Sequence, residues 1–207
     1  MRPFKTLRSI AAVAAFAAAL PAASYAATTT IDFEGTGAPC CFVSTTPLSN
    51  AYAGLGVTFS GVGGTGGSIL NQSGNFGFNA HSGTDFLAFN TSVNGISGVE
   101  DIAFSSLQSN VSIWVANQFG GAVSLTAYDA SGASVATSSI TSSSVWQQLS
   151  VSAASIASVR LTAQLGTPYY AADDLSFTGA VPEPEAYAML AGGLAVLGVA
   201  LRRRKAA

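Results

Sequence analysis

The body of this chain is predicted to be all-β, a single antiparallel β-sandwich of jelly-roll type. Short runs of alternating apolar and polar residues recur between clusters of Gly, Ser and Asn, as in GVTFSG, DFLAF, NVSIWVA and DDLSF. Alternation with a period of two places successive side chains on opposite faces of a strand. The body also contains no Lys and few Glu or Gln, which are residues that favour helices. We therefore expect about ten strands in one domain, residues 27–180, and no long helix there.

The N-terminal segment is predicted to be a targeting helix outside this domain. Three cations within the first eight residues precede an apolar run from Ile10 to Leu20, and small side chains follow at Ser24 and Ala26. That order is typical of a secretory signal peptide. Residues 1–26 are therefore expected to enter the Sec translocon, and signal peptidase is expected to cut between Ala26 and Ala27.

The C-terminal segment, residues 181–207, has three parts. A rigid, acidic VPEPE sequence comes first, because each proline fixes φ. Sixteen uncharged residues follow, from Ala186 to Leu201, and four adjacent cations come directly after them. As a helix this run is about 24 Å long, short of the roughly 30 Å of a bilayer core, but small residues and local thinning would let it insert. We predict a short transmembrane helix, rather than a buried core helix, with its cations on the cytoplasmic side.

This order of elements resembles the PEP-CTERM sorting signal of Gram-negative bacteria that make extracellular polysaccharide. The resemblance covers about 25 of the 207 residues. It implies that the tail holds the exported protein at the inner membrane until exosortase, a membrane-embedded cysteine-protease-like enzyme, cuts near the prolines. The protein would then reach the cell surface or the extracellular space. The residues that carry the resemblance are Val181, Pro182, Glu183, Pro184, Arg202, Arg203 and Arg204.

The body is strongly acidic once the two end segments are set aside. Seven of the eight cations lie in those segments. Between residues 27 and 180 there are eight carboxylates and one cation, Arg160, which gives a formal charge of −7. Nucleic acid is excluded as a partner, because phosphate binding needs Lys and Arg side chains. Cations are the ionic partners that such a body would attract.

Carboxylates at both ends of the body predict a calcium site. Asp32 and Glu34 lie on one face of the first strand, and Asp173 and Asp174 introduce the last strand. First and last strands of a jelly roll commonly lie close together, so the four carboxylates would converge, and oxygen-only ligands suit Ca²⁺. The pattern also resembles galactose-binding-like carbohydrate-binding modules, some of which hold a structural calcium between an early strand and the last one. The alternative is that these are solvated acids at strand ends.

Trp114 and Tyr128 predict a surface for sugar binding. Alternation places each ring on the polar face of its strand, beside Ser or Thr. If the two strands form a hairpin, the rings lie side by side among hydroxyl groups, an arrangement that stacks sugar rings. The alternative is that this face is covered, since Trp is highly buried on average. Trp146, Tyr169 and Tyr170 are weaker candidates of the same kind.

Cys40 and Cys41 are adjacent in a loop of a protein that is expected to be exported. Cysteines in an oxidising compartment usually pair. Ordinary disulfides need Cα atoms about 4.4–6.8 Å apart, whereas neighbours across a trans peptide are about 3.8 Å apart. A vicinal disulfide is favoured here over free thiols or pairing with another chain.

The sequence predicts no catalytic constellation. His81 is the only histidine, and although Ser82 and Asp85 follow it, the chain has no G-x-S-x-G element, so a surface-loop position is expected. Residues 61–66 match G-x-G-x-x-G, but no helix start follows, so they are expected to form a flexible loop. We therefore expect a non-enzymatic surface or matrix protein associated with exopolysaccharide or biofilm. The alternative is a carbohydrate-binding module with structural calcium, whereas an exported hydrolase lacks support.

Overall fold

The computed structural model is an all-β molecule, as the sequence predicts. Its described strands are joined by turns and by two single-turn 3₁₀ helices at Ala53–Leu55 and Gln72–Gly74. No helix among the described residues is long and apolar enough to cross a membrane. The described residues are 26–38, 46–61, 66–75, 77, 79–88, 90–91, 95–96, 98–117, 120–142, 144–163, 170–180, 190, 192–194 and 197–198.

Most strands follow the apolar–polar alternation that predicted them. In the strand Gly121–Tyr128, for example, Val123, Leu125 and Ala127 are buried while the residues between them are partly exposed. The strands are β1 (Thr28–Ile31), β2 (Thr46–Pro47), β3 (Val57–Ser60), β4 (Ser68–Asn71), β5 (Asp85–Ala88), β6 (Asn90–Thr91), β7 (Gly95–Ile96), β8 (Val99–Asn117), β9 (Gly121–Tyr128), β10 (Ser134–Ser142), β11 (Gln147–Ala163) and β12 (Tyr170–Gly179).

Two long strands, β8 and β11, each belong to both layers of the molecule. Residues 147–152 of β11 run antiparallel to residues 110–115 of β8. After a break in the register, residues 158–162 of β11 run along residues 99–103 of β8. Irregularities of this kind let a strand bend and pass from one sheet to the other. The two layers are therefore joined by continuous backbone.

The remaining strands extend each layer, and every pairing between the described strands is antiparallel. One layer adds β12, β5, β4 and β2 to the end of β8, with β1 also paired to β12. The other layer adds β3 to the start of β8, and β9 and β10 to the end of β11. β6 and β7 form a separate two-stranded ribbon. The result is the predicted antiparallel β-sandwich.

One hydrophobic cluster fills the space between the layers. It includes Ile113 and Phe177 from one layer and Leu125 and Leu161 from the other, all of them buried. Burying a side chain of this size contributes about 1.5–3 kcal/mol. The ring of Phe104, from the start of β8, packs 5.3 Å from the ring of Phe177. The core is thus shared by both layers.

The first and last strands are neighbours, as the sequence predicts. β1 runs antiparallel to β12, from Thr28 opposite Thr178 to Ile31 opposite Leu175. The Oγ1 atoms of Thr28 and Thr178 lie 2.7 Å apart, and a second hydroxyl pair follows two residues along. The two ends of the body therefore lie side by side.

Several sequence predictions fall outside the described residues. They concern the signal peptide up to residue 25, the Cys40–Cys41 disulfide, the VPEP sequence and the terminal arginines. In the tail, residues 190, 192–194 and 197–198 are helical. The domain boundaries, the transmembrane helix and the vicinal disulfide stay predictions.

Candidate functional site

The candidate site is built around the loop of residues 81–85, which Asp173 of β12 holds at one end through hydrogen bonds. The side chain of Asp173 is fully buried, and Oδ2 accepts hydrogen bonds from the backbone N–H groups of His81 (2.9 Å) and Ser82 (3.1 Å). Oδ1 accepts from the N–H of Asp174 at 2.8 Å. Burial raises the pKa of Asp173 to about 7, although these backbone bonds favour the charged form and oppose the rise.

Asp174 reaches the same loop because the backbone turns there. Its φ is 47°, in the left-handed region, and the pairing of β12 with β8 is interrupted between Asp173 and Ser176. Successive residues of a regular strand point to opposite faces, so this turn brings both carboxylates to one side. The Oδ2 atom of Asp174 lies 2.5 Å from Nδ1 of His81, and its Oδ1 accepts from the hydroxyl of Ser82 at 2.7 Å.

Glu34 fastens the other end of the loop. Its Oε1 accepts hydrogen bonds from the N–H groups of Thr84 (2.7 Å) and Asp85 (2.6 Å). Asp32 is hydrogen-bonded to Glu34 and not to the described loop residues; its Oδ1 accepts a hydrogen bond from the backbone N–H of Glu34 at 3.2 Å. A Cβ at Gly83 would collide with the Glu34 carboxylate, and Gly83 has a φ of +56°. Only glycine fits at this point of the loop.

The four predicted calcium ligands therefore border one loop, residues 81–85, without forming a tight cluster. Within the described part of the chain, no three His, Cys, Asp or Glu side chains are grouped so that they could hold a metal ion. The pKa of Tyr52 is nevertheless raised to about 12, first by burial and then by the negative charge of four carboxylates. These are Asp32, Asp85, Glu34 and Asp173. Calcium binding stays a prediction.

An aromatic cleft opens beside this loop. The imidazole of His81 stacks on the indole of Trp114, with ring centroids 4.0 Å apart and an angle of 17°. Trp146 meets the same imidazole edge-on at 5.8 Å and 69°, and its indole N–H donates to the carbonyl of Asn79 at 2.9 Å. The cleft has a volume of about 450 Å³. Its other lining side chains include Ala80, Ser144 and Val145.

The predicted hairpin between the strands of Trp114 and Tyr128 is not formed. β9 pairs with β10 and β11, so β11 lies between the two strands. Trp114 lies opposite Gln148, whereas Tyr128 lies opposite Ser158 in the other layer. The ring of Tyr128 lies below the guanidinium of Arg160, 6.0 Å from it. The expectation that the two rings share one binding surface is therefore wrong.

The weaker aromatic candidates have different positions. Trp146 lines the cleft, Tyr170 is only 1% exposed and belongs to the core, and Tyr169 lies outside the described residues. His81 lies on an exposed loop, as expected, and it is also the central ring of the cleft. Nothing near it in the sequence signals this, because its partners Asp173 and Asp174 come 92 and 93 residues later.

The C-terminal segment has a match of its own. Residues 180–205 match the PEP-CTERM protein-sorting motif. The chain carries an exosortase sorting signal. The PEP-CTERM motif marks an exported protein that is routed to the cell surface or the extracellular space, and it confirms the resemblance drawn from the VPEP sequence, the apolar run and the terminal arginines. No curated protein sequence matches the chain.

Solved structures that are similar to this chain include carbohydrate-binding modules. The xylan-binding CBM22-1 domain of Xyn10C from Paenibacillus barcinonensis is 12% identical with a TM-score of 0.42, and the match covers 78% of this chain and 100% of that one. A DUF4465 family protein from Bacteroides caccae is 12% identical with a TM-score of 0.44, covering 73% and 93%. The K3 adhesin domain of Lys-gingipain from Porphyromonas gingivalis is 17% identical with a TM-score of 0.37, covering 73% and 90%. None of these likenesses assigns a ligand to this chain.

Proposed function

We propose that this chain is a non-enzymatic protein of the cell surface or extracellular matrix that binds polysaccharide in the aromatic cleft. The sorting motif supports the export route and makes exosortase the processing partner. The observation that supports binding is the cleft, where Trp114, His81 and Trp146 bring three ring systems together beside Val145, which is 67% exposed. Association with a polysaccharide-rich envelope or biofilm is the role that follows.

The size and lining of the cleft suit one or a few sugar rings. Ligand sites typically measure about 300–1,000 Å³ and combine apolar walls with a few polar groups; this cleft measures about 450 Å³. The C–H face of a pyranose is apolar, and stacking it on an indole removes that area from water, at roughly 25 cal/mol per Å². We take Trp146 as the stacking surface, because His81 covers one face of Trp114. Trp146 lines the cleft and is held in place by packing against a small buried cluster that includes Leu70 and Phe86.

His81 supplies a polar group that would orient the sugar. Its Nδ1 is bonded to Asp174, so Nε2 is the ring nitrogen left to meet a hydroxyl group of the ligand. The stack on Trp114 fixes the plane of the imidazole, and the bond from its backbone N–H to Asp173 fixes its position. Because the group is already held in place, ordering it on binding costs little entropy.

A binding role is favoured over hydrolysis by the way the nearby carboxylates are used. Both oxygens of Asp173 accept hydrogen bonds from backbone N–H groups, and both oxygens of Asp174 are bonded to His81 and Ser82. A general acid or base must reach the proton that it transfers. These two carboxylates hold the loop in place instead.

A glycan array, followed by titration of the best ligand, tests this proposal. Trp146→Ala should weaken binding by about tenfold, or ~1.4 kcal/mol, because the stacking surface is lost. Tyr128→Ala is the matched control: it removes an aromatic ring from the other layer and should bind like the wild type. No binding by the wild type to any glycan, or equal losses in the two variants, would contradict the proposal.

A further inference from the structure

β10 is an open edge of the sandwich. It pairs with β9 on one side, and no described residue donates a backbone hydrogen bond to its other side. The strand has nine residues, more than the 5–6 that are typical, and its register against β9 is regular from Ala136 to Ser142. A long row of unpaired N–H and C=O groups is a template for a further strand.

The usual protection of an edge strand is missing from β10. Natural edges are normally blocked by Lys, Pro, inward-pointing charges or bulges. The sequence SVATSSITS has neither a charged residue nor a proline, and its register shift lies at its very start, between Ser134 and Ala136. The uncharged stretch also extends well beyond the strand, because no charged residue occurs between Asp129 and Arg160. In a body of formal charge −7, this edge therefore brings no charged residue of β10 against a second copy.

Hydroxyl groups already join neighbouring strands on the outside of this molecule. Between β1 and β12, two pairs of hydroxyl oxygens lie 2.7 Å apart. A similar pair lies next to the open edge, where the hydroxyl of Thr137 on β10 donates to that of Thr126 on β9 at 3.4 Å. Ser139 and Thr141 follow Thr137 as exposed hydroxyls of β10. Cross-strand Thr and Ser pairs stabilise a sheet. The exposed hydroxyl groups of β10 are therefore placed to form such pairs with an added strand.

We propose that β10 is a homotypic interaction surface, at which a second copy of this chain adds its own β10 to the sheet. In an antiparallel arrangement around a two-fold axis at Ser139, Thr137 lies opposite Thr141 of the second copy. The row of hydroxyl pairs then continues across the interface, and the two sandwiches share one continuous layer. Because a two-fold interface uses the same patch on both copies, the product is a closed dimer. The inference does not depend on the cleft.

Cross-linking tests this arrangement directly. Ser139→Cys places two thiols opposite each other at the two-fold axis, at a cross-strand separation that a disulfide can span. The exported protein recovered from its host should therefore form a covalent dimer on mild oxidation. Ala103→Cys is the matched control, because Ala103 is exposed but lies on β8 between β3 and β11. Wild-type protein, oxidised in the same way, shows how much covalent dimer forms through the native Cys40 and Cys41.

Sedimentation velocity over a range of concentrations gives an independent readout. Thr137→Lys, which adds a charge to the edge, should shift the protein toward monomer, while Ala103→Lys should dimerise like the wild type. A wild type that stays monomeric at its highest soluble concentration, or a control that loses dimer equally, overturns the proposal. Should Thr137→Lys fail to fold, hydrogen exchange of the wild type decides. Protection of residues 136–142 that rises with concentration supports the dimer, and unchanged protection overturns it.

Discussion

One buried carboxyl group, Glu100, is expected to make a large contribution to the pH response of this fold. Its side chain is fully buried on β8, and a Cβ added at Gly66 would lie 3.2 Å from its Oε1. Burial raises the pKa of Glu100 to about 9, and neither carboxyl oxygen has a hydrogen-bond partner among the described residues. The group is therefore neutral in the folded protein at physiological pH.

Glu100→Gln is expected to stabilise the protein at high pH and to change little at low pH. The pKa is about 9 in the folded state against an ordinary value of 4.5, so the folded state keeps a proton that the unfolded state releases. The contribution of Glu100 to stability is therefore greatest below pH 4.5 and falls as the pH rises toward 9, by up to about 1.4 kcal/mol per pH unit. Urea unfolding of both proteins across this range measures the difference. If the difference in unfolding free energy between the two proteins is the same at every pH, the carboxyl group does not titrate in this way.

At the scale of elements, the loop 81–85 is the segment on which the candidate site depends. It contributes His81 to the cleft, and it is fastened by β12 at one end and by Glu34 at the other. Carboxylates approach it from both sides while the body offers one cation in all. A bound cation would relieve their mutual repulsion, and oxygen ligands suit Ca²⁺.

The calcium site predicted from the sequence, which no grouping of described side chains supports, implies that Ca²⁺ raises the melting temperature. A ligand that binds only the folded state at 100 times its Kd adds about 2.7 kcal/mol of stability. Thermal unfolding in EDTA and in millimolar Ca²⁺ measures the shift, and Glu34→Gln should remove it. Asp129→Asn is the control, because Asp129 lies in the β9–β10 turn and is bonded to Ser131. Identical curves for the wild type in EDTA and in Ca²⁺ would rule the site out.

The alternation of side chains predicts strands well but not their continuity. VEDIAF and NVSIWVA look like separate strands, yet both belong to β8, and QQLSV and SVRLTA likewise share β11. The breaks in register between them change which face the side chains occupy, so the pattern stops and restarts within one strand. A local pattern also carries no information about pairing, which is why β11 was not expected between Trp114 and Tyr128.

At the scale of the whole molecule, the chain is expected to lose mass from both ends during export. Signal peptidase would remove residues 1–26, and exosortase would cut near Pro182 and Pro184, within the matched motif. Intact-mass measurement of the protein from an exosortase-positive host checks both cuts. Replacing both prolines by Ala should leave the tail in place, whereas a wild-type product that still carries Arg204 would contradict the sorting route.

The pairing of β1 with β12 also sets the order in which an exported chain can finish folding. Thr30 and Ser176, which are bonded across this pair, are separated by 146 residues. During export the N-terminal end of the chain leaves the translocon first, so β1 is outside early. β1 cannot pair with β12 until nearly all of the body has been exported. Contacts this distant in sequence form slowly. The matched motif begins at residue 180, directly after β12. A tail retained in the membrane would thus keep the closing strand beside the bilayer, and the last step of folding would take place there, before the protein is set free.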